Sequence, residues 1–294
     1  MLAAAWDTSA GALCFSVVRL AEKADGPDRD RAEAPGDSPD ETPDEDRGFG
    51  PRFRTLFSLS VRAAESHSRL LPSVLREALD KLGLEPRDLD LVAAGRGPGS
   101  FTGLRAGLAF AKGFAMGAGI PAIGVPSLAA LAFAPNPAPA LVVPVADARR
   151  GELFACLYEV GEVEKVGAPA ENPETRRDRF WEIPLPRALT PVLAIKPQNF
   201  PGTMKETILG LKGREPGPDL PLTVLGEDSR LLPQGLPEGF ATNPLPADPA
   251  AFGALGLRLL ASGNPGDNPP LPLYGRSPEI FKTWKPPARL SDSR

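Results

Sequence analysis

A glycine-rich loop at residues 95–103 is the part of the sequence best suited to chemistry. It joins an apolar run typical of a buried strand to a stretch typical of a helix, where free backbone amides can bind an anion. The loop fits neither Walker A nor the Rossmann fingerprint, because Ser100, Thr102 or Leu104 stands where those patterns require a glycine. Two interpretations stay open: a tight turn with Thr102 as helix N-cap, or an anion site formed with Arg105.

Two aspartates, Asp7 and Asp147, follow apolar runs and precede second apolar runs, about 140 residues apart. A carboxylate in this position can help to hold a metal-bound phosphate, but an aspartate after a strand more often forms a turn. Both interpretations stay open for the two carboxylates. The repeated pattern of strand, turn and strand predicts two similar α/β halves.

The chain has one histidine, His67, and two cysteines, Cys14 and Cys156. A metal site with two histidine ligands is therefore excluded, and a hydrolase using a histidine base would have to use His67. No nucleophile elbow accompanies it, so a capping or surface role is favoured. Both cysteines fall in predicted strands and are expected to be inert core residues of a protein from a reducing compartment.

Helices and strands must position these groups. A third strand is predicted over residues 53–61, and Ser68 is expected to cap a helix ending at Leu82. The apolar residues of this helix cover more of its surface than one-sided packing requires, which suggests a second contact surface. Further strands are predicted over residues 90–95, 120–125, 141–146 and 153–158, with helices over 104–117, 128–133 (capped by Ser127) and 249–262 (capped by Asp248).

The helix after the loop carries a stripe of small residues, Ala106, Ala109, Gly113 and Gly117. Glycine inside a helix costs about 1 kcal/mol relative to alanine, so two of them suggest that another backbone comes close. That backbone belongs either to the sheet of this chain or to another subunit.

Two segments differ from the rest of the chain in composition. Residues 21–50 contain eleven acidic and four basic residues, and we expect them to form a disordered insertion, with a partner-binding role as the alternative. Residues 162–221 are proline-rich, and only Val192 to Ile195 are expected to form ordered sheet. The net charge of −4 argues against a globally basic nucleic-acid coat, and no apolar run reaches the roughly 18 residues of a membrane span.

Several motifs together resemble the TsaB/YeaZ family of bacterial subunits for threonylcarbamoyladenosine synthesis on tRNA. The motifs are Asp7-Thr8-Ser9, the loop from Gly97 to Arg105, Ala111-Lys112-Gly113, Gly124-Val125 with Ser127-Leu128, Asp147 to Glu152, His67-Ser68 with Leu70-Leu71-Pro72, and Pro272 to Arg276. The resemblance covers residues 1–20 and 53–160 and, more weakly, 222–276. The nine-residue loop is its most specific part.

The resemblance implies an α/β fold of the ASKHA (actin/Hsp70-like) type, duplicated into two subdomains with mixed sheets and flanking helices. The subdomains are expected at residues 1–124 and 125–248, with the acidic and proline-rich segments as insertions. Residues 249–294 are expected to give a helix that returns to the first subdomain, and an extended tail.

The family is similar to the glycoprotease-like protein TsaD, which binds metal through histidines after the strand that matches residues 120–125. Residues 126–131 offer no metal ligand, so the resemblance implies a non-catalytic subunit without a resident cofactor. An ATP or ADP at the subunit junction is the open alternative, with Asp7, Ser100, Thr102 and Arg105 as the candidate anion-binding residues.

The implied partner is TsaD, which transfers the threonylcarbamoyl group to adenosine 37 of tRNAs that read ANN codons. The implied interface residues lie on two helices: Leu70, Ser73, Val74 and Glu77, with Ala106, Ala109, Gly113 and Gly117. The ATPase TsaE would bind the pair in the cytoplasm, tRNA would be contacted only through the complex, and the chain alone would form a homodimer. A metal-independent nucleotide-binding or peptidase-like enzyme and a plain tRNA-binding protein are the competing classes.

Overall fold

The computed structural model describes most of the chain outside the two unusual segments. The described residues are 1–20, 53–62, 67–133, 140–161, 185–210, 222–226, 229–236, 240–244, 247–262 and 269–275. The acidic segment at residues 21–50 lies outside them, so its predicted disorder stays a prediction.

The first half is built on a five-stranded sheet in the order β3-β2-β1-β4-β5. Its strands are β1 (Leu2–Asp7), β2 (Leu13–Leu20), β3 (Phe53–Val61), β4 (Leu91–Gly95) and β5 (Ala122–Val125). Strands β1, β2 and β3 pair antiparallel, whereas β1, β4 and β5 pair parallel. The central strands β1 and β4 are buried on both faces, as their continuous apolar sequences require.

The second half repeats this arrangement in the order β10-β7-β6-β11-β12, with β8 pairing β6 and β9. Its strands are β6 (Ala140–Asp147), β7 (Leu153–Ala155), β8 (Tyr158–Val160), β9 (Arg187–Ala188), β10 (Leu193–Ile195), β11 (Leu222–Gly226) and β12 (Phe240–Pro244). Strands β10, β7 and β6 pair antiparallel, whereas β6, β11 and β12 pair parallel, as in the first sheet. The predicted duplication is therefore confirmed.

Helices cover both sheets in layers. They are α1 (His67–Leu82), α2 (Phe101–Ala118), α3 (Ser127–Ala132), α4 (Phe200–Leu209) and α5 (Pro249–Ser262). Helices α1 and α2 pack on the outer face of the first sheet, α3 and α5 lie in the core shared by the two sheets, and α4 packs on the outer face of the second sheet. In the described part of the chain, no helix is both long and apolar enough to span a membrane.

Two features of the second half differ from the predictions. Residues 153–158 were expected to form one strand, but the chain breaks into β7 and β8 because the Leu157 amide donates to Thr190 Oγ1 at 3.0 Å instead of extending the ladder. The segment 162–221 contains more ordered structure than expected, since α4 buries Phe200, Met204 and Ile208 in the core of the second half. These side chains are spaced four residues apart, on one face of the helix.

Helix α5 packs across the first sheet. Its predicted cap is confirmed, because Asp248 Oδ1 accepts from the Ala250 amide at 2.8 Å. The contact is close at Gly256, where an added Cβ would lie 2.5 Å from Ala93 Cβ. The exact limits of the subdomains stay predictions.

Candidate functional site

A cleft of about 560 Å³ lies between the two halves, at the carboxyl ends of β1 and β6. Its lining includes the aspartates that end these strands, Asp7 and Asp147, together with the glycine-rich loop through Gly99 and Ser100. The cleft lies where two similar halves face each other, which is a common position for a ligand site in α/β proteins.

The two aspartates have the same local role. Asp7 Oδ1 accepts from the Ser9 amide at 2.6 Å, and Asp147 Oδ1 accepts from the Arg149 amide at 2.7 Å. Each contact is made two residues further along the chain, which is the geometry of an Asx turn. The turn-forming interpretation therefore holds for both.

The environments of these carboxylates differ. Asp7 is only 3% exposed, and burial raises the pKa of its carboxyl group, although hydrogen bonds from Ser127 and Ser9 act in the opposite direction. Gly95 lies against it, since a Cβ there would be 2.4 Å from Asp7 Cγ. Asp147 is exposed and lies 3.6 Å from the guanidinium of Arg149.

Hydrogen bonds join the first turn to the glycine-rich loop and to α3. The Ser100 amide donates to the Ser9 carbonyl at 2.7 Å, and Thr8 Oγ1 donates to the Gly103 carbonyl at 2.7 Å. The loop contains a cis peptide bond between Gly97 and Pro98. The first turn, the glycine-rich loop and, through Ser127, helix α3 are therefore held together along the cleft.

Two predicted helix caps are wrong. Ser100, not Thr102, caps α2, because its Oγ accepts from the Gly103 amide at 3.3 Å while Thr102 lies exposed inside the helix. Ser127 is the first residue of α3 and does not cap it; instead its Oγ accepts from the Gly97 amide at 3.1 Å and lies 3.3 Å from Ser9 Oγ. Helix α1 begins at His67, and the side chains of His67 and Ser68 lie outside the described residues.

The predicted anion-binding residues do not converge. Asp7 and Ser100 line the cleft, whereas Thr102 and Arg105 do not. Arg105 lies against an aromatic pair instead: its guanidinium lies 3.6 Å from the centre of the Phe101 ring, and its Nε donates to Tyr274 Oη at 3.2 Å. Tyr274 is 169 residues away in the sequence, so no local pattern could predict this contact.

Three arginines line the cleft: Arg62, Arg149 and Arg230. Sequence reasoning missed Arg62 and Arg230, which come from distant segments and belong to no motif. Arg149 and Arg150 adopt left-handed backbone conformations with φ of 61° and 57°, which are uncommon for residues with a side chain. Such a strained turn next to a cleft is a signal of function that only the structure provides.

The small-residue stripe of α2 faces outward. Ala109, Gly113 and Gly117 are exposed, Ala106 is half-buried, and a Cβ added at Gly113 or Gly117 would meet nothing within 4 Å. Packing of these residues on the chain's own sheet is therefore excluded. The close approach is made instead by two other glycines of α2, Gly103 and Gly107, against Thr8.

The predicted interface residues on α1 divide into two groups. Leu70, Ser73 and Glu77 are exposed, and Leu70 is 38% exposed. The prediction that Val74 lies on the same surface is wrong, because its side chain packs in the core between α1 and the first sheet. Helix periodicity puts Val74 at the boundary of the exposed face, and tertiary packing buries its side chain.

Both cysteines are buried, as expected for core residues. Burial raises the pKa of the Cys156 thiol, which keeps it protonated. Within the described ranges, no group of three or more histidine, cysteine, aspartate or glutamate side chains is placed to hold a metal ion.

Comparison with known proteins gives a consistent set of similarities. The family model described as TsaD, tRNA N6-adenosine threonylcarbamoyltransferase, matches residues 61–173. The tRNA threonylcarbamoyladenosine biosynthesis protein TsaB of Escherichia coli (strain K12) is 40% identical over 98 residues, and that of Bacillus subtilis (strain 168) is 38% identical over 96 residues. Each match covers 32% of this chain and 42% of the relative.

Among solved structures, YeaZ from Pseudomonas aeruginosa superposes with a TM-score of 0.54 at 18% identity, covering 93% of this chain and 100% of that chain. The repeated sheets, the flanking helices and this likeness define a protein of the ASKHA fold class, as predicted. The resemblance to TsaB/YeaZ proteins is likewise confirmed, by sequence over the matched region and by fold over nearly the whole chain.

Proposed function

We propose that this chain is a non-catalytic partner subunit of a TsaD protein. In this role it supports the transfer of a threonylcarbamoyl group to adenosine 37 of tRNAs that read ANN codons. Its similarity to proteins named for this biosynthesis supports the proposal, as does the TsaD family model that matches residues 61–173. The complex of this chain with TsaD acts in the cytoplasm, and TsaE is a further component of it.

The observation that carries the proposal is the open glycine face of α2. Gly113 and Gly117 lower the stability of the helix, yet no atom of the described chain beyond their own turns of α2 lies within 4 Å of where their Cβ atoms would be. Glycines that leave such space allow a helix of a second subunit to approach closely. The adjacent helix α1 also carries exposed residues of the proposed interface, Leu70, Ser73 and Glu77.

The proposed interface forms a homodimer in the chain alone and a heterodimer with TsaD. A surface that resembles its partner's surface can pair with a second copy of itself about a two-fold axis. The chain alone therefore forms a homodimer, and TsaD displaces one copy to give the heterodimer.

Size-exclusion chromatography with light scattering tests this on the chain alone and after mixing with TsaD from the same organism. The wild-type chain should pass from homodimer to heterodimer, and Gly113→Leu should remain monomeric in both samples. The matched control is Gly202→Leu, because Gly202 is also an exposed helical glycine with nothing within 4 Å of an added Cβ.

Circular dichroism should show that both leucine variants are folded, since neither site has a neighbour to displace. A wild-type chain that stays monomeric and does not bind TsaD would overturn the proposal. Loss of pairing in both variants would remove α2 as the location of the interface.

A second candidate function is anion binding in the cleft, favoured by Arg62, Arg149 and Arg230 along its lining. Asp7 and Ser100 would take part from the first half, which also carries Arg62, whereas Arg149 and Arg230 belong to the second half. A nucleotide-binding enzyme is the corresponding class. Isothermal titration with ATP and ADP separates the two candidates. Binding that is lost in Arg149→Gln supports the nucleotide site, and no heat from either nucleotide supports the cofactor-free partner subunit.

A further inference from the structure

We propose that Phe101, Arg105 and Tyr274 form a stacking site for unpaired RNA bases. This group, the aromatic cluster, lies outside the cleft at the N-terminal end of α2. The inference rests on the proposed function in taking RNA as the ligand, and it differs from that function by giving this chain a direct contact with the nucleic acid.

Exposed rings and a guanidinium held in place define the cluster. Phe101 is 46% exposed and Tyr274 is 38% exposed, and their ring centres are 5.4 Å apart with an angle of 31° between the planes. The Arg105 guanidinium lies 3.6 Å from the centre of the Phe101 ring and is bonded through Nε to Tyr274 Oη. Aromatic rings and arginine planes are the groups on which proteins stack unpaired bases.

The cluster is built on rigid parts of the fold. Phe101 and Arg105 belong to the first turns of α2, whose start is fixed by the Ser100 cap. Tyr274 is carried by the segment at residues 269–275, where the Leu273 amide donates to the Arg96 carbonyl at 2.7 Å. The rings are therefore presented before any ligand arrives, which reduces the entropy cost of binding.

Charge complementarity favours a polyanion over a neutral or cationic partner. No aspartate or glutamate occurs between Asp90 and Asp147, whereas this stretch contributes Arg96, Arg105 and Lys112. On this face of α2, the exposed side chains of Arg105 and Lys112 can neutralise phosphates.

The aromatic cluster and the glycine face occupy different sides of α2. At about 100° per residue, Phe101, Arg105 and Lys112 fall within about 40° of one another, whereas Ala106, Ala109, Gly113 and Gly117 are centred about 100° further round the helix. RNA on one side and a protein partner on the other can therefore bind at once. Substitutions can also remove one interaction and leave the other.

Fluorescence anisotropy with a labelled single-stranded RNA of about 15 nucleotides tests the cluster on the full chain, with a duplex of the same sequence and heparin as comparisons. Tyr274→Ala and Phe101→Ala should each weaken binding of the single strand about 5- to 150-fold, the range for loss of one stacked base. Tyr274→Phe keeps the ring and should stay within about twofold of wild type. Arg105→Gln should lower the salt dependence by about one counterion, while Lys205→Gln, which removes an exposed cation from α4, should change neither quantity.

The outcomes separate this inference from the proposed function. Loss of RNA binding in the alanine variants with TsaD pairing intact supports it. If an alanine variant unfolds, the expected fall in salt dependence of Arg105→Gln carries the test. Equal binding of single strand, duplex and heparin, or no effect of the ring substitutions, would overturn it in favour of general polyanion attraction. Loss of TsaD pairing with RNA binding unchanged would make the cluster a protein interface and would also overturn it.

Discussion

Two glycines on α2, six residues apart, should respond in opposite ways to the same substitution. Gly107 and Gly113 are both interior positions of the helix, and alanine is favoured over glycine there by about 0.8–1.0 kcal/mol. Within one chain the Cβ added at Gly113 meets nothing within 4 Å, so Gly113→Ala should stabilise the monomer by about that amount, measured at a protein concentration low enough to keep the chain monomeric.

At Gly107 the added Cβ would lie 2.2 Å from Thr8 Oγ1, which is too close for the present arrangement to persist. Thr8 is only 2% exposed and donates from Oγ1 to the Gly103 carbonyl at 2.7 Å, so it cannot move without breaking this hydrogen bond. Overpacking costs about 1–3 kcal/mol and the lost hydrogen bond a further 1–3 kcal/mol, against a gain of about 1 kcal/mol from helix propensity. Gly107→Ala should therefore destabilise the chain by about 1–5 kcal/mol.

Urea unfolding followed by circular dichroism measures both variants against wild type, with an unchanged slope showing that the unfolded states are comparable. The midpoint should rise for Gly113→Ala and fall for Gly107→Ala. If both variants gained stability equally, the close contact between α2 and the first turn would be wrong. A loss of stability in Gly113→Ala would contradict the assignment of Gly113 to an open face.

Two further predictions concern the buried carboxylate and the second core. Burial raises the pKa of Asp7 in the folded state. The contribution of Asp7 to the free energy of unfolding is therefore most favourable below its unfolded pKa of about 3.8, and it is lost as the pH rises through the folded pKa. Asp7→Asn keeps an acceptor for the Ser9 amide and should be more stable than wild type at neutral pH. The difference in stability should shrink towards acidic pH. An equal difference in the free energy of unfolding at every pH from 4 to 8 would contradict this. Phe200→Ala should cost about 3–5 kcal/mol, because Phe200 is fully buried between α4 and the second sheet, and a loss below about 1 kcal/mol in urea would show that α4 is not part of that core.

The fold was largely predictable because its signals are local and occur twice. An apolar strand, an Asx turn and a second strand appear at Asp7 and again at Asp147, and the two sheets repeat one strand order. The cap at Asp248 was also readable, since it depends on a side chain and an amide two residues apart. Helix α4 was missed because its three buried residues lie within a proline-rich stretch whose composition masks their spacing.

The candidate site was only partly predictable. Asp7 and Ser100 belong to motifs and do line the cleft, but Arg62, Arg149 and Arg230 meet there only because the two halves fold against each other. Thr102 and Arg105 were placed in the same site by their nearness in sequence. Neither side chain lines the cleft, and Arg105 Nε donates to Tyr274 Oη instead.

By itself, the sequence determined which segments form strands, turns and helices, because backbone conformation depends on neighbouring residues and on the spacing of apolar side chains. It also determined that α2 carries an unusual number of glycines. Only the tertiary structure decided what those glycines do: Gly103 and Gly107 admit the backbone and hydroxyl of Thr8, while Gly113 and Gly117 face open space. The difference arises because a helix has the same local geometry on every side, and the rest of the fold covers one side only.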